Sequence, residues 1–509
     1  MKKYMPVNKF IMKKQYLKNI LLIIFSISLT SCSYFIKENK ESISLKDIYL
    51  KKDNTFKWGV ATSGYQIEGD SKPSVWSERD LKKGVDSQTY GNNFRKYSEE
   101  WIKLAKDLNV NSFRLSIEWS RVQPRKPTSS DSGFDENEIA FYKKLISDLK
   151  RKNNIDPLVT LVHFNYPKWL DEETKSKGLL DPKFKDYYLK YVEKMSQEMG
   201  QDVTYWITFN EPNVWLVACY YKNTFPPFYG KENIADLLEA DIRLNDIHKE
   251  AYKKIHSIYK ENGFNNPKVS MNFYHMPKPK FSLEGITDPF VSIAPLINID
   301  PSFPGLGFLS IPNHNYMDFV AIDYYFRFNS TNDLDTHHEF WSKEIYPQGL
   351  YDAIMYYAKS KEFKDKEIII AENGFATKNG KNMQVMSREE HLLIHLKEIF
   401  RAKEDGAKVT GYYYWTLMDN YEWGSYEPRF GLYHIPNIGN NIKIKSIEDI
   451  FKDICPTKAA FVYRNIINDI SLYDQKIENG FLPNKKPKDL IDFNLSNINN
   501  LNSSIRTCN

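Results

Sequence analysis

Eight short apolar runs alternate with longer amphipathic stretches between residues 56 and 468. The runs predict strands over Lys57–Ala61, Ser112–Ile117, Leu158–His163, Tyr205–Asn210, Val269–Phe273, Phe319–Tyr324, Glu367–Ala371 and Val409–Trp415. Several of them are apolar at nearly every position, which is typical of parallel strands that are covered on both faces. The stretches between them have the apolar spacing of helices, for example in Tyr97–Leu108, Ile139–Lys152 and Tyr187–Met199.

This alternation of strand and helix predicts an α/β fold, a (β/α)8 TIM barrel that forms a single domain over residues 53–468. An open, doubly wound sheet would produce the same alternation. Its nucleotide-binding form is less favoured, because no glycine-rich phosphate loop follows the first strand. The chain of 509 residues exceeds an average domain, but a barrel with insertions can absorb most of that length.

The positive charge of the chain is concentrated at its start. The formal net charge is +5, but residues 1–31 carry six lysines and no acidic residue, so the rest of the chain has 5 − 6 = −1. An excess of basic residues that is confined to a targeting segment does not indicate nucleic-acid binding. We therefore expect no nucleic-acid partner.

This first segment has the pattern of a bacterial lipoprotein signal. Its lysines precede the apolar run Ile20–Phe25, which is too short for a comfortable membrane span, and Leu29-Thr30-Ser31-Cys32 then follows. That ending resembles a lipobox, whose cysteine receives lipid. We predict a signal peptide over 1–31, lipidation of Cys32, and export to the bacterial cell envelope, at the outer membrane or the cell surface. An ordinary signal peptide that happens to precede a cysteine is the alternative.

Two polar segments flank the predicted domain. Residues 32–52 are rich in Lys, Glu and Ser, as in a tether, and 469–509 form an Asn- and Lys-rich tail that we expect to be partly disordered or draped on the surface. The chain has only four cysteines, Cys32, Cys219, Cys455 and Cys508. They predict no disulfide framework and no structural zinc site, and we expect neither metal nor cofactor.

The ends of the predicted strands carry the polar residues of chemical interest. They are His163, Asn210-Glu211, Tyr325, Glu372-Asn373 and Asp419-Asn420. In a TIM barrel the functional residues gather at the carboxyl ends of the strands, so residues from different strands meet at one mouth. Glu211 ends the fourth strand and Glu372 the seventh, and two facing carboxylates are the minimal apparatus of glycoside hydrolysis.

Five segments, in the same order, resemble the motifs of family 1 glycoside hydrolases, the β-glucosidase family. They are an opening motif, a second-strand motif, an acid/base motif, a nucleophile motif and a sugar-binding motif, here Phe56–Gly69, Ser112–Arg121, Thr208–Pro212, Ile370–Gly374 and Trp415–Trp423. The resemblance implies a single catalytic barrel domain with carbohydrate as its substrate. It implies an exo-acting, retaining β-glycosidase on terminal β-D-glucosides, with β-galactosides or β-fucosides as a wider range.

The resemblance also implies a role for each matching residue. Glu211 would be the acid/base and Glu372 the nucleophile, with Arg114 and Tyr325 supporting Glu372. The terminal sugar would be bound by Gln66, His163, Asn210, Trp415, Glu422 and Trp423. A carboxylate such as Glu422 is a poor neighbour for a 6-phosphate, which disfavours the phospho-β-glycosidase branch.

The chain departs from the family pattern at Asp323, where asparagine is usual, and at Phe164, where tryptophan is usual. Asp323 would place a third carboxylate near the site, where it could raise the pKa of a neighbouring acid or pair with a cation. Two rival functions stay open: a non-catalytic glycan-binding lipoprotein and a transglycosidase on the same scaffold. The sequence leaves the natural aglycone and the oligomeric state open.

Overall fold

A closed barrel of eight parallel strands forms the centre of the structure. The structure is a computed structural model, and it describes residues 55–84, 95, 98–229, 234–275, 277, 314–327, 339–435 and 454–469. The barrel strands are β1 Lys57–Ala61, β2 Ser112–Ser116, β3 Asp156–Val162, β4 Tyr205–Asn210, β5 Lys268–Tyr274, β6 Phe319–Asp323, β7 Glu367–Asn373 and β8 Val409–Trp415. Each strand pairs with the next, and β8 pairs with β1. The predicted (β/α)8 barrel is therefore confirmed, and the open sheet is excluded.

Helices and short helical turns connect the strands. The α-helices are Gly64–Ile67, Val75–Lys83, Ser98–Asp107, Trp119–Val122, Glu136–Ser147, Lys168–Glu173, Pro182–Met199, Pro212–Leu216, Ile234–Asn262, Gln348–Lys359, Arg388–Glu404 and Lys458–Asp469. Residues Asp148–Lys152 and Val217–Tyr221 form π-helical turns, and Gly178–Leu180, His314–Tyr316 and Phe340–Ser342 form 3-10 turns. Four two-residue strands lie outside the barrel, at Thr377–Lys378, Pro428–Arg429, Tyr433–His434 and Cys455–Pro456.

Side-chain caps explain where several helices begin. The Asp135 carboxylate accepts from the backbone N–H groups of Asn137 and Glu138, and Ser387 forms a reciprocal capping box with Glu390. The helix predicted over Ile139–Lys152 begins earlier, at this Asp135 cap, and its last turn is π-helical. Sequence periodicity does not distinguish these two kinds of turn.

Irregularities in strand pairing occur at the carboxyl end of the barrel. The register shifts between Ile207 and Asn210 on β4, and again between Ile322 and Asp323 where β6 pairs with β7. Such bulges re-aim side chains and are common beside active sites. They lie just before Glu211 and at Asp323, so the polar rim of the barrel is also where its regular geometry is broken.

A buried ion pair fixes the loop that follows β1. Arg121 contacts Glu68 at 2.8 Å and the carbonyl of Gly69, and Tyr142 donates to the other oxygen of Glu68. The paired and hydrogen-bonded charges offset the cost of burying Glu68 and Arg121. The short helix with Gln66 is therefore held against the barrel mouth.

The predicted signal peptide, the lipidation site Cys32 and the tether over 32–52 lie outside the described residues, as does the tail beyond Asp469. Within the described part of the chain, no helix is both long and apolar enough to cross a membrane. Cys219 is a buried free thiol and Cys455 is disulfide-bonded. The structure thus adds a disulfide to a chain whose cysteine count predicted no disulfide framework.

Candidate active site

An open cleft of about 1050 Å³ lies at the carboxyl ends of the barrel strands. Most of the residues predicted for catalysis and sugar binding line it, namely His163, Asn210, Glu211, Tyr325, Glu372, Trp415, Glu422 and Trp423. Arg114 and Gln66 lie behind this wall and contact members of the cleft from the barrel side. The barrel therefore brings together residues that are more than 350 positions apart in the sequence.

The two predicted catalytic carboxyl groups face each other across the cleft. Oxygens of Glu211, Glu372 and Asp323 all lie within 4.8 Å of one another. Retaining glycosidases keep their two carboxyl groups about 5–5.5 Å apart, whereas inverting enzymes need about 6.5–9.5 Å to admit a water molecule. The spacing of Glu211 and Glu372 therefore suits direct attack on a sugar.

Glu211 adopts a backbone conformation that is rare for a residue with a side chain. Its φ is 36° and its ψ is 57°, in the left-handed region, immediately before the helix Pro212–Leu216. Such conformations cost free energy and tend to occur at functional sites. This strained turn directly follows β4, and Glu211 lines the cleft.

Glu372 is held by two donors. Arg114 Nη1 donates to its Oε1 at 2.5 Å, and the hydroxyl of Tyr325 donates to its Oε2 at 2.6 Å. Burial raises the pKa of Glu372, and the Arg114 charge together with both hydrogen bonds opposes that rise. Arg114 and Tyr325 thus lie where the resemblance placed them, on the predicted nucleophile.

Glu211 has the opposite environment. Burial raises its pKa well above the usual range, and the negative charges of Asp323 and Glu372 raise it further. Two neighbouring carboxyl groups with such different surroundings divide into an ionised group and a proton donor. The surroundings therefore favour a proton on Glu211 rather than on Glu372.

Asn272 is a site residue that sequence reasoning missed. Its Nδ2 donates to Asn210 Oδ1 at 2.8 Å and also to Asp323, and Arg114 Nη2 donates to the same Asn210 oxygen at 2.6 Å. Asn210 Nδ2 has no hydrogen-bond partner among the described residues. Two donors on the oxygen thus fix the amide so that its N–H groups remain available at the cleft. An asparagine on the inner face of a strand was the only sequence signal.

The other predicted sugar-binding residues form one connected wall. Glu422 accepts from Trp415 Nε1 at 3.0 Å and from Gln66 Nε2 at 2.9 Å. Burial is the main cause that raises the pKa of Glu422 to about 8. Gln66 is fully buried and positions Glu422 from behind, so its direct contact with a sugar stays a prediction.

His163 lies between two indole rings. Its ring stacks on Trp415 at 5.9 Å and on Trp423 at 5.7 Å between centroids. Burial lowers the pKa of His163 well below its usual value, so the ring is neutral at physiological pH. Its Nδ1 has no hydrogen-bond partner among the described residues, which suits a contact with a hydroxyl group.

The rest of the cleft lining is mainly apolar in the described residues. Its lining comprises Phe164, Val214, Val217, Ala218, Phe225, Phe326, Phe340 and Phe430, with Lys222 and Thr224 among them. Apart from Phe164, sequence reasoning singled out none of these residues, because apolar residues in loops and short helices carry no pattern of their own. The cleft therefore combines a polar cluster around the carboxyl groups with a mainly apolar remainder.

The carboxyl trio is also the group of side chains that could hold a metal ion in the described part of the chain. The Arg114 guanidinium, however, already bonds Glu372 and lies 3.8 Å from Asp323. A second cation would be repelled by this arginine. The sequence prediction of no metal and no cofactor stays a prediction.

Known proteins resemble this chain over most of its length. Beta-glucosidase A of Acetivibrio thermocellus is 28% identical over 81% of this chain and 99% of its own, and Beta-glucosidase 17 of Arabidopsis thaliana is 26% identical over 82% and 94%. Among solved structures, a beta-glycosidase from Pyrococcus horikoshii has a TM-score of 0.65 at 25% identity and covers 84% of this chain and 98% of its own. A Thermotoga maritima beta-glucosidase in complex with glucoimidazole also has a TM-score of 0.65, at 22% identity, over 81% of this chain and 98% of its own.

The sequence model of one protein family covers both the acid/base and the nucleophile segments. The model, described as "Glycosyl hydrolase family 1", matches residues 50–282 and 316–457, which is well over half of the chain. Together with the closed barrel and the facing carboxyl groups, this match shows that the chain belongs to glycosyl hydrolase family 1.

Proposed function

We propose that the protein is an exo-acting β-glucosidase that hydrolyses terminal β-D-glucosides with retention of configuration, and that β-galactosides or β-fucosides fall within its range. The approach of the Glu211 and Glu372 oxygens to within 4.8 Å is the observation that carries the retaining mechanism. The relatives from a bacterium and a plant are named beta-glucosidases, which supports the glucoside preference.

In the first step Glu372 attacks the anomeric carbon of the sugar. Its carboxylate forms a bond to that carbon while the bond to the aglycone oxygen breaks. Glu211 donates its proton to the leaving oxygen, so the aglycone departs as a neutral alcohol. Tyr325 and Arg114 orient the Glu372 carboxylate for the attack, and the free N–H of Asn210 binds the sugar 2-hydroxyl, a contact that strengthens in the transition state.

In the second step the glycosyl ester of Glu372 is hydrolysed. Glu372 is now neutral, and Glu211, ionised after the first step, takes a proton from water as the water attacks the anomeric carbon. The bond to Glu372 breaks, the carboxylate is restored, and the sugar leaves with its original configuration. Glu211 again holds a proton, so the cycle closes.

The part of the cleft around the carboxyl groups suits a single terminal pyranose. Trp415 offers a flat apolar surface, while Glu422, His163 and Asn210 place polar groups around it. Apolar sugar faces stack on indole rings, and the surrounding polar groups select the positions of the hydroxyls. The buried Glu422 also makes a 6-phosphate an unfavourable substituent, because a carboxyl group offers phosphate no positive charge.

Hydrolysis of a chromogenic aryl β-glucoside tests the function. We expect release of the phenol, and proton NMR of the earliest product should show the β-anomer of glucose. Binding without turnover would support the glycan-binding alternative instead. Transfer products that dominate over hydrolysis whenever an acceptor sugar is present would support the transglycosidase.

The lipid anchor and the envelope location form a second part of the proposal. The segment Leu29-Thr30-Ser31-Cys32 after a basic and apolar start supports lipidation of Cys32. The disulfide at Cys455 also supports export, because disulfides persist in oxidising compartments. A lipoprotein's several acyl chains are sufficient for stable membrane attachment, whereas a single chain is not.

Replacement of the predicted lipidated cysteine tests the anchor. Cys32→Ser should abolish incorporation of a fatty-acid analogue and release the enzyme from membranes, while activity on aryl glucosides stays unchanged. The neighbouring Ser33→Ala variant is the matched control and should remain lipidated. Membrane association that survives Cys32→Ser would place the anchor elsewhere.

A further inference from the structure

Asp323 brings a third carboxyl group into the active site. It ends β6, its side chain has no exposed surface, and it pairs with Glu372 on β7 after a shift in register. Its oxygen lies within 4.8 Å of oxygens of both Glu211 and Glu372. The double displacement described above uses only two carboxyl groups, and burial of a third one costs free energy.

Hydrogen bonds indicate which of the three groups holds the proton. Asn272 Nδ2 donates to Asp323 Oδ2, and Asp323 Oδ1 lies 3.8 Å from Arg114 Nη1. Oδ1 has no hydrogen-bond partner among the described residues, and Arg114 is the positive charge beside it. The Asn272 donor and the Arg114 cation favour the ionised form of Asp323, as Arg114 and Tyr325 favour that of Glu372. The Glu211 side chain makes no cap hydrogen bond with the helix that it precedes, and burial raises its pKa well above the usual value, which favours the proton on Glu211.

We propose that Asp323 is a positioning residue whose negative charge keeps the acid/base proton on Glu211 and makes Glu211 a stronger base in the second step. This inference rests on the proposed function, because it takes Glu211 to be the acid/base. Asp323 itself touches neither the sugar nor the leaving group in this proposal. It acts on the reaction only through Glu211.

The charge balance of the site shows why one extra anion is useful in both steps. Before the reaction Glu372 and Asp323 are negative, Arg114 is positive and Glu211 is neutral. In the glycosyl-enzyme Glu372 is a neutral ester, while Asp323 and Glu211 are negative and Arg114 is positive. Counted without Glu211, the other three groups sum to −1 before the reaction and to 0 in the glycosyl-enzyme, where Arg114 balances Asp323. With asparagine at position 323 these sums would be 0 and +1, so Asp323 makes the surroundings of Glu211 more negative by one charge in both steps.

Most of the groups around Glu211 raise its pKa, and Arg114 opposes them. Burial, Asp323 and Glu372 raise the pKa of Glu211, Arg114 lowers it, and Glu422 adds a smaller rise. Glu372 loses its charge in the reaction, and Glu422 has a pKa of about 8 and is mostly neutral at physiological pH. Burial and then Glu372 raise the pKa of Asp323 well above its usual value, and Arg114 and Asn272 only partly oppose that rise. The contacts of Asp323 with the Asn272 donor and with Arg114 at 3.8 Å are what make it the anion that persists beside Glu211 in this proposal.

The pH profile of Asp323→Asn tests this role. Asparagine has the same shape without the charge, so the basic limb of kcat/KM for an aryl β-glucoside should move towards lower pH by about one unit. The acidic limb should move less, because Arg114 and Tyr325 still hold Glu372. Asp318→Asn, which removes a carboxylate next to the other end of β6, should leave the profile in place. Overlapping profiles for Asp323→Asn and the unchanged enzyme would overturn the proposal.

A double variant separates this proposal from the catalytic assignment. In Glu211→Ala, measured with a highly activated aryl glucoside, the basic limb should vanish, and Asp323→Asn added to it should change the profile no further. A limb that persists in Glu211→Ala would reject Glu211 as the acid/base. If the basic limb of the pH profile vanishes in Glu211→Ala but does not move in Asp323→Asn, Glu211 remains the acid/base. That outcome would reject only the role of Asp323. Asp323→Ser removes the same charge and provides the measurement if the asparagine variant does not fold.

Discussion

Replacement of Glu372 by glutamine should reduce kcat by about 10⁴-fold or more, because the variant has no carboxylate to form the glycosyl-enzyme. Glutamine fits the same space, its amide oxygen can still accept from Arg114, and its N–H can donate to the Tyr325 hydroxyl oxygen, so the fold should persist. Initial rates on an aryl β-glucoside measure the loss. Circular dichroism and the melting temperature establish that the variant is folded.

The same strand offers a matched control for this variant. Glu367 begins β7 at the opposite end of the barrel, where it contacts Tyr205, Thr410 and Lys268. Glu367→Gln should cost some stability and leave kcat nearly unchanged. A 2-deoxy-2-fluoro glucoside with a good leaving group should label the unchanged enzyme on Glu372. A label on another residue, or turnover that survives in Glu372→Gln, would reject the assignment.

Loss of Glu211 should have an effect that depends on the leaving group. Without a proton donor, Glu211→Ala should lose about 10²–10⁴-fold in kcat/KM on alkyl glucosides, whose oxygen leaves poorly. Aryl glucosides with acidic phenols need little protonation, so their first step should be far less impaired. Their second step should become limiting, because no base activates water.

Azide provides the decisive measurement for Glu211→Ala. A small anion needs no base, and it should enter the space that the side chain leaves and restore turnover. The product should be the β-glycosyl azide, since attack on the Glu372 ester inverts the anomeric carbon a second time. An α-azide, or equal losses on alkyl and aryl glucosides, would contradict the acid/base role.

Much of the fold could be predicted from local pattern. The bounds of β1, β4 and β8 agree with the prediction, and the other barrel strands differ by one or two residues at one or both ends. Continuous apolar runs determine such strands, because both faces are covered. The π-helical turns could not be predicted, since they differ from α-helix only in backbone hydrogen bonding.

The candidate site was predictable where chemistry follows a strand end. Glu211, Glu372, Arg114 and Tyr325 lie together as the sequence indicated, and so do Asn210 and His163 at the cleft. The sequence could not assign a partner to Asp323. Arg114 is that partner at 3.8 Å, but it is 209 positions away and is shared with Glu372.

The sequence by itself determined the positions of the strands, the two carboxyl groups at strand ends and, through the family motifs, the aromatic residues of the sugar site, because each is carried by residues that are close along the chain. Tertiary structure alone decided that the strands close into a barrel, how Asn272 orients Asn210, and how apolar loop residues line the cleft. Those features depend on the closure and tilt of the barrel, which set distances between residues on different strands. Proton positions then follow from burial and neighbouring charges, and only these distances define them.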